Sequence, residues 1–121
     1  MSMSCEVVLR WDSTPEQRRA LGAALWRWCS QAAGAADIYQ YLDNQALADL
    51  VAGQLPALEP VTQHGGLPRV QFLARGDPAR DRESMLESLR RDIPCDGIAE
   101  VLVDGISWRP AEATLRTTTA M

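Results

Sequence analysis

Residues 98–108 read Ile-Ala-Glu-Val-Leu-Val-Asp-Gly-Ile-Ser-Trp, two apolar runs on either side of an Asp-Gly pair. Asp104 and Gly105 form the dipeptide that most readily adopts positive φ at both central positions of a type I′ turn, and the twist of that turn matches paired strands. The run before the turn is apolar on both alternating faces except at Glu100, which is typical of a strand inside a sheet that helices cover. This stretch therefore predicts a C-terminal β-hairpin within a helix-covered sheet.

The chain has 121 residues, of which 46% are hydrophobic and 23% charged, a composition typical of globular proteins. A chain of this length forms one domain and can bury roughly two thirds of the surface that its unfolded form exposes. We expect this domain to span residues 1–110. Because Pro110 ends the last strand and little apolar surface follows it, residues 111–121 are predicted to form a frayed or disordered tail.

The charges argue against several classes of partner and chemistry. All twelve basic residues are arginine, and sixteen acidic residues give a formal net charge of −4. Non-specific binding to a polyanion would run against this overall field, so no nucleic-acid partner is expected. Without lysine, Schiff-base chemistry and the phosphate-loop lysine are excluded.

The apolar segments and the cysteines indicate where the protein acts. No apolar run reaches the roughly 20 residues that a membrane span needs, and the N-terminus lacks the pattern of a secretory signal. The three cysteines include no Cys-x-x-Cys pair, which favours reduced thiols over a disulfide framework or a zinc site. We therefore expect a cytoplasmic protein, in a cytoplasm of bacterial type, with no membrane partner.

The first two elements are a strand and a helix. Alternating apolar residues predict a strand from Cys5 to Trp11, with both of these side chains on one face. Thr14 and Gln17 form a Thr-x-x-Gln capping box, which predicts the start of a helix that runs to about residue 33.

The remaining elements alternate between strands and helices. Before the hairpin the patterns predict a strand at 37–42, a short helix at 45–52, a strand at 69–75 and a helix at 77–92. On the short helix, Leu47, Leu50 and Val51 are predicted to face the core. The order predicts an α+β fold with a mostly antiparallel sheet and the two longer helices on one face. The closest general plan is the ferredoxin-like βαβ arrangement, with the short helix and the hairpin as additions.

Two tryptophans are candidates for a binding surface. Trp28 belongs to the helical stripe that faces the core, whereas Trp26 lies well round the helix from that stripe. Two interpretations of Trp26 stay open: a boundary side chain covered by a loop, or a partly exposed anchor for a partner. Trp108 and the adjacent Arg109 would form a contact surface if the hairpin lies at the sheet edge, where pairing with a second copy is also an option.

Candidates for catalysis are few. His64, the single histidine, lies beside Gly65-Gly66 in a predicted loop, and we favour an exposed turn residue over a general base or a pH-sensitive contact. Cys95 is predicted to be buried as a small hydrophobe, and the charge of Asp96 would raise the pKa of its thiol. One histidine and scattered acids match no metal-binding pattern, so we expect no metal and no cofactor.

These features predict a non-catalytic domain that binds another protein, as an immunity protein or antitoxin, an adaptor or a chaperone does. Contact would be made through exposed tryptophans and acidic positions, with a basic protein or a second copy as the partner. The candidate binding residues are Trp26, Trp108, Arg109 and His64.

Two alternatives stay open. One is a small-ligand-binding protein or a small metal-independent enzyme, in which a pocket between sheet and helices uses His64, Tyr39, Tyr41 and arginine side chains. The other is a structural subunit that only associates with itself. Whether the segment 56–68 closes over such a pocket or is a passive loop is likewise open.

Overall fold

The computed structural model describes residues 2–31, 44–55 and 67–110. The predicted α+β class is confirmed. The predicted strand at 37–42, the loop that contains His64 and the tail at 111–121 lie outside the described residues. Within the described ranges the chain forms four strands and three helices, in the order β1 (Ser2–Leu9), α1 (Pro15–Gln31), α2 (Asn44–Val51), β2 (Arg69–Arg75), α3 (Pro78–Asp92), β3 (Ile98–Val103) and β4 (Ile106–Trp108).

The four described strands form one antiparallel sheet in the order β2-β1-β3-β4, which confirms the predicted mostly antiparallel sheet. The central strand β1 pairs on both sides, so that Cys5 lies opposite Phe72 of β2 and opposite Val103 of β3. All three side chains are buried. Because directly paired residues point to the same face of a sheet, these residues mark the face that the helices cover.

Trp28 joins two helices to that face. Its ring lies 5.7 Å from the ring of Phe72, measured between centroids, and its indole Nε1 donates a hydrogen bond of 3.0 Å to the Ser88 hydroxyl on α3. Trp28 is only 5% exposed, so its predicted core position is confirmed. The largest side chains that share this core are Met3, Leu9, Leu21, Leu25, Leu50 and Leu89.

Both long helices begin where the sequence predicts. The Gln17 amide donates to the Thr14 hydroxyl at 3.1 Å, and the Thr14 amide donates to the Gln17 side chain at 2.9 Å, which is the predicted capping box. At the start of α3 the Asp77 carboxylate accepts a hydrogen bond of 3.1 Å from the amide of Ala79. These bonds satisfy amide groups that have no partner inside the helix.

The first strand differs from its prediction at the C-terminal end. It ends at Leu9, and Trp11 is 51% exposed instead of sharing the buried face with Cys5. The cause is a turn, in which the Ser13 amide donates to the Arg10 carbonyl at 3.2 Å. An ion pair of 2.7 Å between the Arg10 guanidinium and Asp12 closes the same turn. The alternation of the strand therefore stops before it reaches Trp11.

Asp104 and Gly105 connect β3 to β4 with φ values of 47° and 90°. Positive φ at both positions is characteristic of a type I′ turn, and it is the reason that glycine is favoured at the second. Val101 lies opposite Trp108 in the pairing that follows. Since Val101 is buried on the helix-covered face, Trp108 points to that face as well.

We expect Trp28→Ala to lower the free energy of unfolding by about 3–5 kcal/mol, because the change removes the ring that packs on Phe72 and leaves a cavity. Urea denaturation measures this loss. The matched control is Trp11→Ala, which removes the same side chain from an exposed turn and should change the free energy by about 0.5 kcal/mol or less. Equal losses from the two variants would contradict the core position of Trp28.

Candidate functional site

The outer surfaces of α1 and α2 enclose an apolar groove of about 720 Å³. Its exposed large hydrophobic side chains are Trp26 and Val51, each of which is 53% exposed. Two exposed large apolar side chains share this groove, which makes it the candidate contact surface within the described part of the chain. Among the described residues, the groove is lined by Ala23, Trp26, Arg27, Leu47, Ala48, Val51 and Ala52.

Gly22 determines how closely the two helices approach. A Cβ at this position would lie 3.0 Å from the backbone nitrogen of Val51 and 3.1 Å from the Cβ of Leu50. Any other residue would therefore push the helices apart or strain their backbones. Trp26 follows Gly22 by four residues, about one turn, and so lines the groove next to this contact.

A second contact fixes the direction of α2 along α1. Gly53, just after α2, lies beside Pro15 at the start of α1. Arg18 donates a hydrogen bond of 2.8 Å to the Gly53 carbonyl, and its guanidinium also donates to the carbonyl of Ser13. Along α1 from Pro15 to Gly22, the contact on α2 moves back from Gly53 to Leu50, so the two helices run in opposite directions and their outer surfaces form one continuous groove.

The structure separates the predicted binding residues. Trp26 is half exposed in the groove, on the side of the molecule where α2 contacts β2. Trp108 lies on β4 at the opposite edge of the sheet, packed against the core, with the guanidinium carbon of Arg90 5.7 Å from its ring centroid. Arg109 donates a hydrogen bond of 2.7 Å to the Glu100 carboxylate. The structure therefore places Trp26 apart from Trp108 and Arg109, and their roles in binding stay predictions.

The residues of the predicted ligand pocket, His64, Tyr39 and Tyr41, lie outside the described residues, as does most of the segment 56–68. In the described part of the chain, buried side chains such as Leu25 and Phe72 fill the space between the helices and the sheet. The ligand-binding alternative therefore stays a prediction that no described feature favours.

Val51 lines the groove and is half exposed, so the prediction that it faces the core is wrong. Ala48, Val51 and Ala52 are spaced at i, i+3 and i+4, and they form a second apolar stripe beside the stripe that Leu50 occupies. This second stripe is the signal in the sequence from which the groove could have been predicted.

The predicted burial of Cys95 is wrong, because the residue is exposed in the turn before β3. Partial burial of its thiol raises the pKa of Cys95, the predicted effect of Asp96 raises it further, and Arg90 opposes both. A raised pKa leaves little thiolate near neutral pH. Cys95 is thus exposed but lacks the activation that a catalytic nucleophile needs.

We expect Gly22→Val to destabilise the protein by about 1–3 kcal/mol, because the new side chain would collide with the backbone of Val51. Urea denaturation measures the change. Ala23→Val is the matched control: it adds a side chain of the same type one residue further on, where the groove is open, and should cost less than about 1 kcal/mol. If the two variants unfold at the same denaturant concentration, the close helix contact is not present.

The described part of the chain contains neither a candidate metal site nor a candidate membrane-spanning helix. No group of three or more His, Cys, Asp or Glu side chains within it could hold a metal ion. Similarly, none of the described helices is long and apolar enough to cross a membrane. Comparisons with protein-family models, with curated proteins and with solved structures found no match to this chain.

Proposed function

We propose that the protein is a non-catalytic interaction domain, acting as an immunity protein or antitoxin, an adaptor or a chaperone does, and that it holds a partner protein in the groove between α1 and α2. The observation that carries this proposal is the clustering of exposed apolar side chains. The large hydrophobic residues exposed among the described residues are Trp11, Trp26 and Val51. Two of these three line the same groove, and Trp11 does not.

The chemistry of the groove suits contact with a protein. Burying apolar surface contributes roughly 25 cal/mol for each Å² removed from water. A partner that covers Trp26 and Val51 would therefore gain binding free energy from the apolar surface of these two side chains. Tryptophan is enriched among the interface residues that contribute most to affinity. The groove is also held in place before binding, because Gly22 and Arg18 fix α2 against α1. A preformed surface loses less conformational entropy on binding.

We also propose that this binding takes place in a cytoplasm. Cys95 is exposed with a free thiol, which is the form expected in a reducing compartment.

We also propose that the fold follows the ferredoxin-like plan with an added C-terminal hairpin. Its support is that β1 lies between β2 and β3, with α3 as the connection between those two strands.

Affinity capture from a lysate of the source cells tests the proposal, with the tagged wild-type chain compared with Trp26→Ala. If Trp26 is an anchor, its loss should cost about 2 kcal/mol or more of binding free energy, which is roughly a thirtyfold loss of affinity. Quantitative mass spectrometry of the captured proteins measures the loss. The unfolding midpoint of the variant should stay near that of the wild type, because the side chain is half exposed.

Trp11→Ala is the matched control, because Trp11 is 51% exposed and lies outside the groove. The account predicts that this variant captures the same partner as the wild type. If Trp26→Ala retains the partner as well as Trp11→Ala does, the groove is not the contact surface.

A further inference from the structure

We propose that the occupant of the groove is an amphipathic helix of the partner that carries acidic side chains beside its apolar face. This inference rests on the proposed function, and it adds the shape and the charge of the segment that binds. Both properties follow from the residues that line and flank the groove.

The shape of the groove suits a helix. Two antiparallel helices lie side by side, and a third helix laid along them would complete a three-helix packing, as in helix-in-groove recognition. Helices pack with axes 8–10 Å apart only where the side chains between them are small enough. Ala23, Ala48 and Ala52 supply such small residues, while Trp26 and Val51 offer larger apolar contacts.

The charge beside the groove is positive, although the whole chain has a formal net charge of −4. Arg27 is the charged member of the described lining. Arg19 lies eight residues earlier, with its guanidinium beside Gly53, and the spacings of three, four and four put Glu16, Arg19, Ala23 and Arg27 along one side of α1. A partner segment in the groove therefore meets a border of two arginines and one glutamate, which is net positive.

These two arginines differ from others in the molecule in what they contact. Among the described residues, no hydrogen bond or ion pair engages the side chain of Arg19 or Arg27. Both side chains are exposed and remain available to a carboxylate of a partner. By contrast, ion pairs with nearby acids hold the guanidinium groups of Arg10, Arg80, Arg90, Arg91 and Arg109.

A second copy of the chain fits the groove less well than an acidic helix. In a symmetric dimer each groove would face the groove of the other copy. The contact would then cover Arg27 of both chains, and the described lining of the groove has no carboxylate to pair with it. The same positive border would attract a helix that bears glutamate or aspartate.

Selection from a displayed library of helical peptides tests the inference with the full chain as the target. Each peptide is about 18 residues long, or about five turns, with a fixed stripe of leucine and alanine and with Glu, Gln or Lys varied at the positions beside it. A second selection against Trp26→Ala removes peptides that bind elsewhere. We expect the peptides that depend on Trp26 to be enriched in glutamate on the side that faces α1.

Charge reversal then tests the role of the two arginines. The double variant Arg19→Glu, Arg27→Glu should bind the best acidic peptide about tenfold or more weakly by fluorescence anisotropy, and should prefer the same peptide with its glutamates changed to lysine. Arg82→Glu is the matched control, since Arg82 is an exposed arginine on α3 outside the groove. It should leave the affinity within about twofold, because exposed charges more than a Debye length apart are screened.

The other possible outcomes would overturn the acidic charge of the occupant, its helical form, its identity as a different protein, or the proposed function itself. Peptides that depend on Trp26 but are neutral or basic would overturn the acidic helix and leave the proposed function standing. If no peptide depends on Trp26 while capture from the lysate still does, the occupant is not a helix. A dimer by light scattering that Trp26→Ala converts to a monomer would make a second copy the occupant. If neither peptides nor captured proteins depend on Trp26, the proposed function fails as well.

Discussion

The contact at Gly22 is the constraint on which the candidate function depends. The backbone of α2 lies so close to α1 that a Cβ at residue 22 would be 3.0 Å from the Val51 nitrogen. This approach sets the axis of α2, brings Leu50 into the core and leaves Val51 on the outer side, next to Trp26. Arg18 holds the C-terminal end of α2 through its hydrogen bond to the Gly53 carbonyl. The groove is thus a consequence of how α1 and α2 pack.

Trp26 and Trp28 show how one helix supports both the core and the candidate surface. Two residues along a helix differ in direction by about 200°, so the two rings point to nearly opposite sides of α1. The ring of Trp28 lies against Phe72 and its nitrogen is hydrogen-bonded to Ser88, which fixes the rotation of α1 about its axis. That rotation in turn places Trp26 in the groove.

Local patterns were sufficient to predict much of the fold, but not its non-local contacts. The capping box at Thr14 and the core position of Trp28 depend on spacings of a few residues, so the sequence alone could predict them. Trp11 was misplaced because a turn held by Arg10 ends the alternation before that residue. Cys95 was misplaced because residue type predicts average burial and not the exposure of one turn.

In the candidate site, too, local patterns could be predicted from the sequence and non-local contacts could not. The partly exposed Trp26 could be anticipated from its angle to the apolar stripe of α1. The groove itself could not, because it depends on which helix lies against Gly22, and the chain between α1 and α2 gives no local pattern that specifies this pairing. Val51 was assigned to the core for the same reason. An isolated short helix offers two apolar stripes, and only its neighbour decides which of them is buried.

Photo-crosslinking of the captured complex tests the central claim most directly. A photoreactive amino acid would replace Ala48 in the groove or, in a second variant, Ser107, which is exposed on β4 beside Trp108. The account predicts a covalent link to the partner from position 48 and none from position 107. A link from position 107 alone would contradict it and would make the edge of the sheet that carries Trp108 and Arg109 the contact surface.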